Sequence, residues 1–127
     1  MGRAEVKRWV ARYEAAWRAG DLDAVETLFS EGAQYRASPY GKPMVGHDAI
    51  QDYWLDDEGK TFTMKASAVA VEGRTAVVRV VVRYGDPVHQ EYVDLWVLRF
   101  ADDGRVEDFE EWAYWPGRPS FRSGAEA

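Results

Sequence analysis

The spacing of apolar residues changes near Thr61 from a helical period to the period of a β-strand. Before this point, Val6, Trp9 and Tyr13 are three or four residues apart, which places them on one face of a helix. After it, apolar and polar residues alternate, as in an antiparallel sheet. The pattern predicts an α+β fold in which three N-terminal helices cover one face of an antiparallel sheet.

Glycine, proline and aspartate mark the ends of the predicted elements. The first helix is predicted at residues 3–19; the second begins at the N-cap Asp21, and Gly32 closes it. A short strand is then predicted at Ala33–Ser38, and a third helix at Gly46–Gly59. Four further strands, separated by turn residues, are predicted at 61–71, 75–84, 88–100 and 105–115.

Length and charge limit the number of domains and the class of partner. The 127 residues suit one domain, predicted over 1–116, and the Gly-, Pro- and charge-rich segment 117–127 is expected to be a flexible tail. No apolar run approaches the roughly 18 residues of a membrane span, and the N-terminus has no secretory apolar region. A net charge of −6 argues against nucleic acid or an anionic membrane as a partner. We therefore expect a cytoplasmic protein that binds neither.

Apolar residues occupy both faces of the predicted strands. On the face that does not meet the helices they form an exposed patch, and such patches usually mark an interface. We predict a homodimer through this outer sheet face. The alternative is that the C-terminal segment folds back over the patch. The patch consists of Val77, Val81, Val93, Leu95 and Val97.

Several kinds of site are excluded by the residues that the chain lacks. Because there is no cysteine, disulfides, iron–sulfur clusters and thiol nucleophiles are ruled out. The two histidines have no metal-ligand spacing; His47 is predicted to cap a helix or lie on the surface, and His89 to be solvated. Phosphate-binding glycine loops and a serine-hydrolase elbow are also absent. No metal or cofactor is predicted, and acid–base chemistry remains.

Asp94 is the principal candidate for that chemistry. Strand alternation places it among Tyr92, Trp96, Leu98 and Phe100, facing the helices. Burial disfavours the charged form of a carboxyl group and thereby adapts it to exchange protons near neutral pH. The alternative is an aspartate that is merely hydrogen-bonded within the core.

A second carboxyl group comes from Glu110 or Glu111. Neighbours on a strand point to opposite faces, so only one of them faces the helices. Alternation does not decide which one, because both faces of this strand mix polar and apolar residues.

Aromatic residues make up 14% of the chain, with six tryptophans. Aromatic stripes at helical spacing usually form plain core. A domain of this size buries only a limited number of indole rings, which favours a ligand cavity edged by some of them. The candidates for its wall are Tyr13, Trp17, Tyr35, Trp54 and Trp96.

Several short stretches together resemble the nuclear transport factor 2-like superfamily, and more narrowly its SnoaL-like branch. The resemblance extends over about residues 5–116. It implies a cone-shaped fold whose strongly curved sheet surrounds a deep internal pocket. The stretches are Tyr13-x-x-x-Trp17-x-x-Gly20-Asp21-Leu22-Asp23-Ala24, Leu28-Phe29, Tyr35-x-x-x-Pro39-x-Gly41 and Gly46-x-x-x-Ile50.

The first half of the chain is similar to ketosteroid isomerase. Tyr13 matches the tyrosine that polarises the substrate oxygen in that enzyme. The isomerase's general base, an aspartate before the loop proline, is replaced here by Ser38, which does not carry a proton as a carboxylate does. Its oxyanion-hole aspartate matches Trp96.

The second half is similar to limonene-type epoxide hydrolases. Asp94 matches the aspartate of their Arg-x-Asp pair, and Tyr92 takes the place of the arginine. Glu111 matches a further acid, so the resemblance selects it over its neighbour as the inward residue. Tyr35 matches a water-positioning tyrosine, whereas Ala37 replaces the asparagine that accompanies it.

Two functions of different classes follow. The first is a cofactor-free isomerase, cyclase or lyase for a small apolar, carbonyl-bearing molecule, with Asp94, Glu111 and Tyr13 as catalytic residues. The second is a module that binds a small molecule or dimerises without chemistry. In either case the expected pocket lining is Trp17, Tyr35, Ser38, Trp54, Tyr92, Trp96 and Phe109.

Overall fold

The computed structural model describes residues 1–55 and 61–117, which form three helices and a six-stranded sheet. None of the described helices is long and apolar enough to cross a membrane. The helices are α1 (Arg3–Ala19), α2 (Val25–Leu28, after a 3-10 turn at Leu22–Ala24) and α3 (His47–Leu55). The strands are β1 (Phe29–Arg36), β2 (Met44–Val45), β3 (Phe62–Glu72), β4 (Thr75–Tyr84), β5 (Gln90–Phe100) and β6 (Val106–Tyr114).

The predicted change of period near Thr61 is confirmed. Helix α1 ends where expected, because Gly20 takes a left-handed conformation (φ 64°) and its N–H reaches the carbonyls of Ala16 and Trp17. Strands β3 to β6 begin and end close to the predicted residues. The predicted end of the third helix at Gly59 and residues 118–127 of the predicted tail lie outside the described residues.

The prediction of a second helix that runs to Gly32 is wrong. Only one α-helical turn forms, and β1 begins at Phe29. Phe29, Ala33 and Tyr35 are buried because they face the core as strand residues. Gly32 lies inside the strand at φ 76°, where the pairing of β1 shifts register between Phe29 and Gln34. A glycine in this conformation is typical of a β-bulge.

The sheet has the strand order β2-β1-β6-β5-β4-β3. It is open and curved, and its pairs are antiparallel except that β1 runs parallel to β6. The predicted antiparallel meander therefore holds for β3 to β6, whereas the complete sheet is mixed. A further register shift lies on β3 between Ala68 and Ala70, near the edge of the sheet opposite β2.

The helices pack on the inner sheet face, as the alternation predicts. Trp9 of α1 lies at the centre of this layer and is 1% exposed. Its ring meets those of Phe29 and Phe100 edge-on at 5.7 and 5.9 Å, and its indole N–H donates to the carbonyl of Leu28 at 2.9 Å. One residue thus joins α1 to α2, β1 and β5. The inner face of the central strands is made of Val78, Val80, Val82, Trp96, Leu98 and Phe100.

Replacing Trp9 by Phe tests this central position. We expect Trp9→Phe to lower the free energy of unfolding by about 2 kcal/mol, because it leaves a cavity and an unpaired Leu28 carbonyl. Urea unfolding followed by circular dichroism measures the change. The exposed Val69 supplies the control, since Val69→Ala should change stability by less than about 0.5 kcal/mol. Equal effects of the two substitutions would contradict the assignment.

Candidate active site

A cavity of about 720 Å³ lies between helices α1 and α3 and the inner face of the sheet. Aromatic side chains form much of its wall, and two inward-facing carboxyl groups lie on β5 and β6. The described lining residues are Tyr13, Trp17, Tyr35, Ala37, Tyr53, Trp54, Thr61, Val82, Tyr84, Gly85, Asp86, His89, Gln90, Tyr92, Asp94, Trp96, Glu111 and Ala113.

Two tyrosine hydroxyl groups meet at this wall. Tyr13 lies one helical turn after Trp9 on α1, and its hydroxyl oxygen is 3.1 Å from that of Tyr35 on β1. The Tyr35 ring stacks on Phe109 at 4.2 Å, which holds the phenol in place. Burial raises the pKa of Tyr35 well above its ordinary value, and the neighbouring Tyr13 and Glu111 add to this effect. Tyr35 is therefore a neutral phenol at physiological pH and remains a hydrogen-bond donor.

Asp94 is the one buried charged residue of the described chain, at 3% exposure. Burial raises its pKa, and hydrogen bonding from Glu111 and Trp96 offsets part of that rise. The Trp96 interaction is weak, because among the described residues neither Asp94 Oδ1 nor Trp96 Nε1 has a partner in good hydrogen-bond geometry. Because Glu111 is close to Asp94, the two carboxyl groups titrate as a pair, and a proton on one of them changes the proton affinity of the other.

The register of β6 decides between the two adjacent glutamates. Glu111 is paired with Trp96 on β5 and lines the cavity. Glu110 lies on the other face of the sheet, where its carboxylate accepts a hydrogen bond from Trp112 Nε1 at 2.6 Å. The inward position of Glu111 is the one that the epoxide hydrolase resemblance selects.

Two indole N–H groups of the cavity wall are buried without a partner among the described residues. They belong to Trp54 on α3 and Trp96 on β5. A buried donor that makes no hydrogen bond costs about 1–3 kcal/mol. An oxygen atom of a bound molecule would satisfy either group.

The turn between β4 and β5 borders the cavity. Gly85 has φ 93°, and a side chain at this position would collide with the His89 ring. His89 is exposed, as predicted for a solvated residue, yet it also lines the cavity. The Tyr92 ring lies between those of Tyr84 and Trp115, at 5.8 and 5.6 Å.

Most of the predicted site residues come together around this cavity. Asp94, Glu111 and Tyr13 all line it, and so do most of the predicted pocket residues: Trp17, Tyr35, Trp54, Tyr92 and Trp96. Phe109 is not among the described lining residues, because it is fully buried behind the Tyr35 ring. Ser38 is not among them either; it lies in the loop after β1, where its carbonyl accepts from the Gly41 N–H.

Some lining residues escaped the sequence analysis. Tyr53 was not among the candidates for the cavity wall, Gly85 and Asp86 were assigned only to a turn, and His89 was predicted to be solvated in the following strand. The turn residues lie between β4 and β5, whose inward residues line the cavity. This position in the chain was the one sequence feature that could have indicated a place in the lining.

Within residues 1–55 and 61–117, neither histidine belongs to a group of three or more potential metal ligands. The part-buried His47 begins α3, and its Nε2 lies 2.8 Å from the carbonyl oxygen of Phe29. The ring therefore joins the start of α3 to the start of β1.

The family model of the SnoaL-like domain matches residues 10–109, which include both helical and strand parts of the cavity. The chain therefore belongs to the SnoaL-like family, within the nuclear transport factor 2-like superfamily. No curated protein matches the sequence.

Solved structures share the fold at low sequence identity. An NTF-2 like protein of unknown function from Burkholderia xenovorans LB400 is 15% identical, with a TM-score of 0.71, covering 98% of this chain and 94% of its own. An LEH-like epoxide hydrolase from M. tuberculosis is 17% identical, with a TM-score of 0.69 and coverage of 88% and 84%. An epoxide hydrolase/cyclase-like enzyme, described for its role in pyran ring formation in the polyether salinomycin, is 16% identical, with a TM-score of 0.69 and coverage of 92% for both chains.

Replacing Asp94 by Asn tests the environment of this carboxyl group. The pKa of Asp94 is raised in the folded protein above its ordinary value of 3.8. At pH values just above 3.8, the folded state therefore binds more protons than the unfolded state. Stability is therefore lost as the pH rises through this window. We expect Asp94→Asn to be more stable than the wild type at pH 7 by about 1 kcal/mol, and the advantage to shrink toward pH 3.5.

Asp103 serves as a control of opposite sign. Hydrogen bonds from Arg105 lower its pKa, so its stabilising contribution is present above the ordinary value and is lost as the pH falls. Asp103→Asn should therefore lose stability relative to the wild type as the pH rises. Urea unfolding between pH 3.5 and 7 measures both differences. A pH-independent difference for Asp94→Asn would contradict the raised pKa.

Proposed function

We propose that the protein is a cofactor-independent enzyme that moves a proton on a small apolar, carbonyl-bearing molecule, in an isomerase, cyclase or lyase reaction. The observation that carries the proposal is the buried Asp94, next to Glu111, in a cavity walled by aromatic rings. A carboxyl group whose pKa is raised toward neutrality is a more effective general base or acid than an exposed one.

In the proposed reaction, an ionised Asp94 oxygen removes a proton from the carbon next to the substrate carbonyl. The electron pair of the broken C–H bond moves into the carbonyl group, which becomes an enolate. The protonated Asp94 then returns the proton to another atom of the enolate, either directly or through Glu111. Atoms and charge balance without an oxidant, a reductant or a metal.

The enolate oxygen needs hydrogen-bond donors, and the cavity wall contains them. The hydroxyl groups of Tyr13 and Tyr35 form a pair at 3.1 Å, and the raised pKa of Tyr35 keeps that phenol protonated. The unpartnered Trp54 Nε1 is a third donor on the described wall. Donors already held in place stabilise a developing charge without reorganisation, which is a large contribution to catalysis.

The size and walls of the cavity suit a small organic molecule. Its volume of about 720 Å³ lies within the roughly 300–1,000 Å³ range of ligand sites. Two proteins of the same fold have names that include epoxide hydrolase, and one of them also cyclase. These names support small-molecule chemistry as a class of function. The competing function is binding of such a molecule without turnover.

Exchange of α-protons for deuterium detects the proposed proton transfer directly. The bicyclic ketones 1-indanone and 2-tetralone are incubated with the protein in D₂O, and NMR follows the loss of their α-proton signals. We expect protein-dependent exchange that falls by about 10²–10⁴-fold in Asp94→Asn, because one general base is removed. Binding of the ketones, followed by tryptophan fluorescence, should persist in this variant.

A matched control lies on the same strand as Glu111. Glu107 is exposed and pairs with Arg99, so Glu107→Gln should leave the exchange unchanged. Glu111→Gln should slow it. Full exchange in Asp94→Asn would disprove the proposed mechanism. Binding of both ketones without protein-dependent exchange would favour the non-catalytic function, and failure of both to bind would overturn the assignment of a carbonyl ligand.

We also propose that two copies of the chain associate through the outer sheet face. Leu95 on β5 and Trp112 on β6 are neighbours there, each 38% exposed. Arg79 on β4 is paired in register with Leu95, and Glu110 on β6 is paired with Val97. The two charges thus flank the apolar patch on opposite sides of β5.

This arrangement is self-complementary. A two-fold axis that crosses β5 between Leu95 and Val97 brings Arg79 of each copy opposite the partner's Glu110, so each apolar patch covers the other. Complementary charges at an interface fix the register of the two copies and favour their encounter.

Charge exchange tests this geometry. Arg79→Glu and Glu110→Arg should each weaken the dimer, and the double variant should restore it, as measured by sedimentation velocity. Arg12→Glu, at an exposed position of α1, should have no effect. A wild-type protein that remains monomeric would refute the proposal. If deletion of residues 117–127 then produced a dimer, the C-terminal segment would be the occupant of this face instead.

A further inference from the structure

Most of the charged side chains in the described lining of the cavity are acidic. Three of its described lining residues are acidic, namely Asp86, Asp94 and Glu111, and none is a lysine or an arginine. His89, at the exposed turn, is the one basic side chain among them. A carboxylate or phosphate entering this cavity would meet these acidic groups, and the described part of the lining offers it no lysine or arginine to pair with.

Asp94 provides an independent indication of a ligand. The residue is only 3% exposed, and among the described residues its Oδ1 has no hydrogen-bond partner. An unsatisfied buried carboxyl oxygen is costly in the free protein. A donor carried by a ligand, and above all a positively charged one, would remove that cost.

The aromatic walls add a second attraction for positive charge. The Trp17, Tyr84 and Tyr92 rings form a continuous row from α1 to β5, with centroid separations of 6.5 and 5.8 Å. The faces of such rings attract cations by about 0.5–2 kcal/mol each, and more when water is excluded. The chain already contains one such contact beside the row, since the Arg18 guanidinium lies 4.2 Å from the Phe62 ring centre.

We infer that the ligand of this cavity carries a protonated amine on an apolar skeleton, with the ammonium group held between the Asp94–Glu111 pair and the aromatic ring faces. The inference deepens the proposed function and rests on it for the choice of site. For catalysis the substrate would then be an amino ketone.

Three probes with one skeleton separate charge from shape. They are 1-naphthylmethylamine, 1-naphthalenemethanol and 1-naphthoic acid, which are positive, neutral and negative at pH 7. Isothermal titration calorimetry of the full chain measures their affinities. We expect the amine to bind about tenfold more tightly than the alcohol, and the acid to bind most weakly.

Variants then assign the preference to the carboxyl pair. Asp94→Asn and Glu111→Gln should each reduce the affinity for the amine about tenfold and leave that for the alcohol within about twofold. Glu107→Gln, on the same strand but at an exposed position, is the matched control and should change neither affinity. Near-UV circular dichroism, which reports the packing of aromatic side chains, verifies that each variant remains folded.

The outcomes distinguish this inference from the proposed function. An alcohol that binds as tightly as the amine, or an acid that binds best, would overturn the inference even if ketone exchange depends on Asp94. Preferential binding of the amine, lost in both carboxyl variants, would support it even if no exchange occurs, and the proton transfer alone would then fail.

Discussion

The parallel pairing of β1 with β6 is the constraint on which the cavity depends. It joins two segments that are more than 70 residues apart and places Tyr35 in register with Phe109. Tyr35 thereby stacks on Phe109 and brings its hydroxyl group to that of Tyr13 on α1. Without this pair of strands, the helices would cover the antiparallel meander, but neither the phenol pair nor the wall beside Glu111 would form.

The site combines groups that are unfavourable in a folded protein. A buried carboxyl group with an unpartnered oxygen and two buried indole N–H groups each cost free energy among the residues described. The aromatic packing around Trp9 contributes stabilising free energy that offsets these costs. The Trp9 ring contacts Tyr13 on α1, Phe29 on β1 and Phe100 on β5, and these elements hold the cavity wall.

The parts predicted correctly from the sequence are those set by local spacing. The stripe of α1 and the alternation of β3 to β6 depend on neighbouring residues alone, so the period identifies them together with the inward position of Asp94. Residues 29–32 were assigned to the second helix instead of β1, because the burial of this segment depends on a distant strand, β6, which no local pattern reveals. The choice of Glu111 over Glu110 needed the family resemblance, because it is determined by pairing with Trp96.

The register shift on β3 has a consequence for the behaviour of the protein at high concentration. β3 is an edge strand, and a flat edge offers unpaired backbone groups to other chains. Here the irregularity between Ala68 and Ala70 interrupts that edge, and the Arg3 guanidinium donates to the carbonyls of Ala68 and Val69. The first residue of α1 therefore engages two backbone carbonyl groups of this edge strand, which are then not available to pair with another chain.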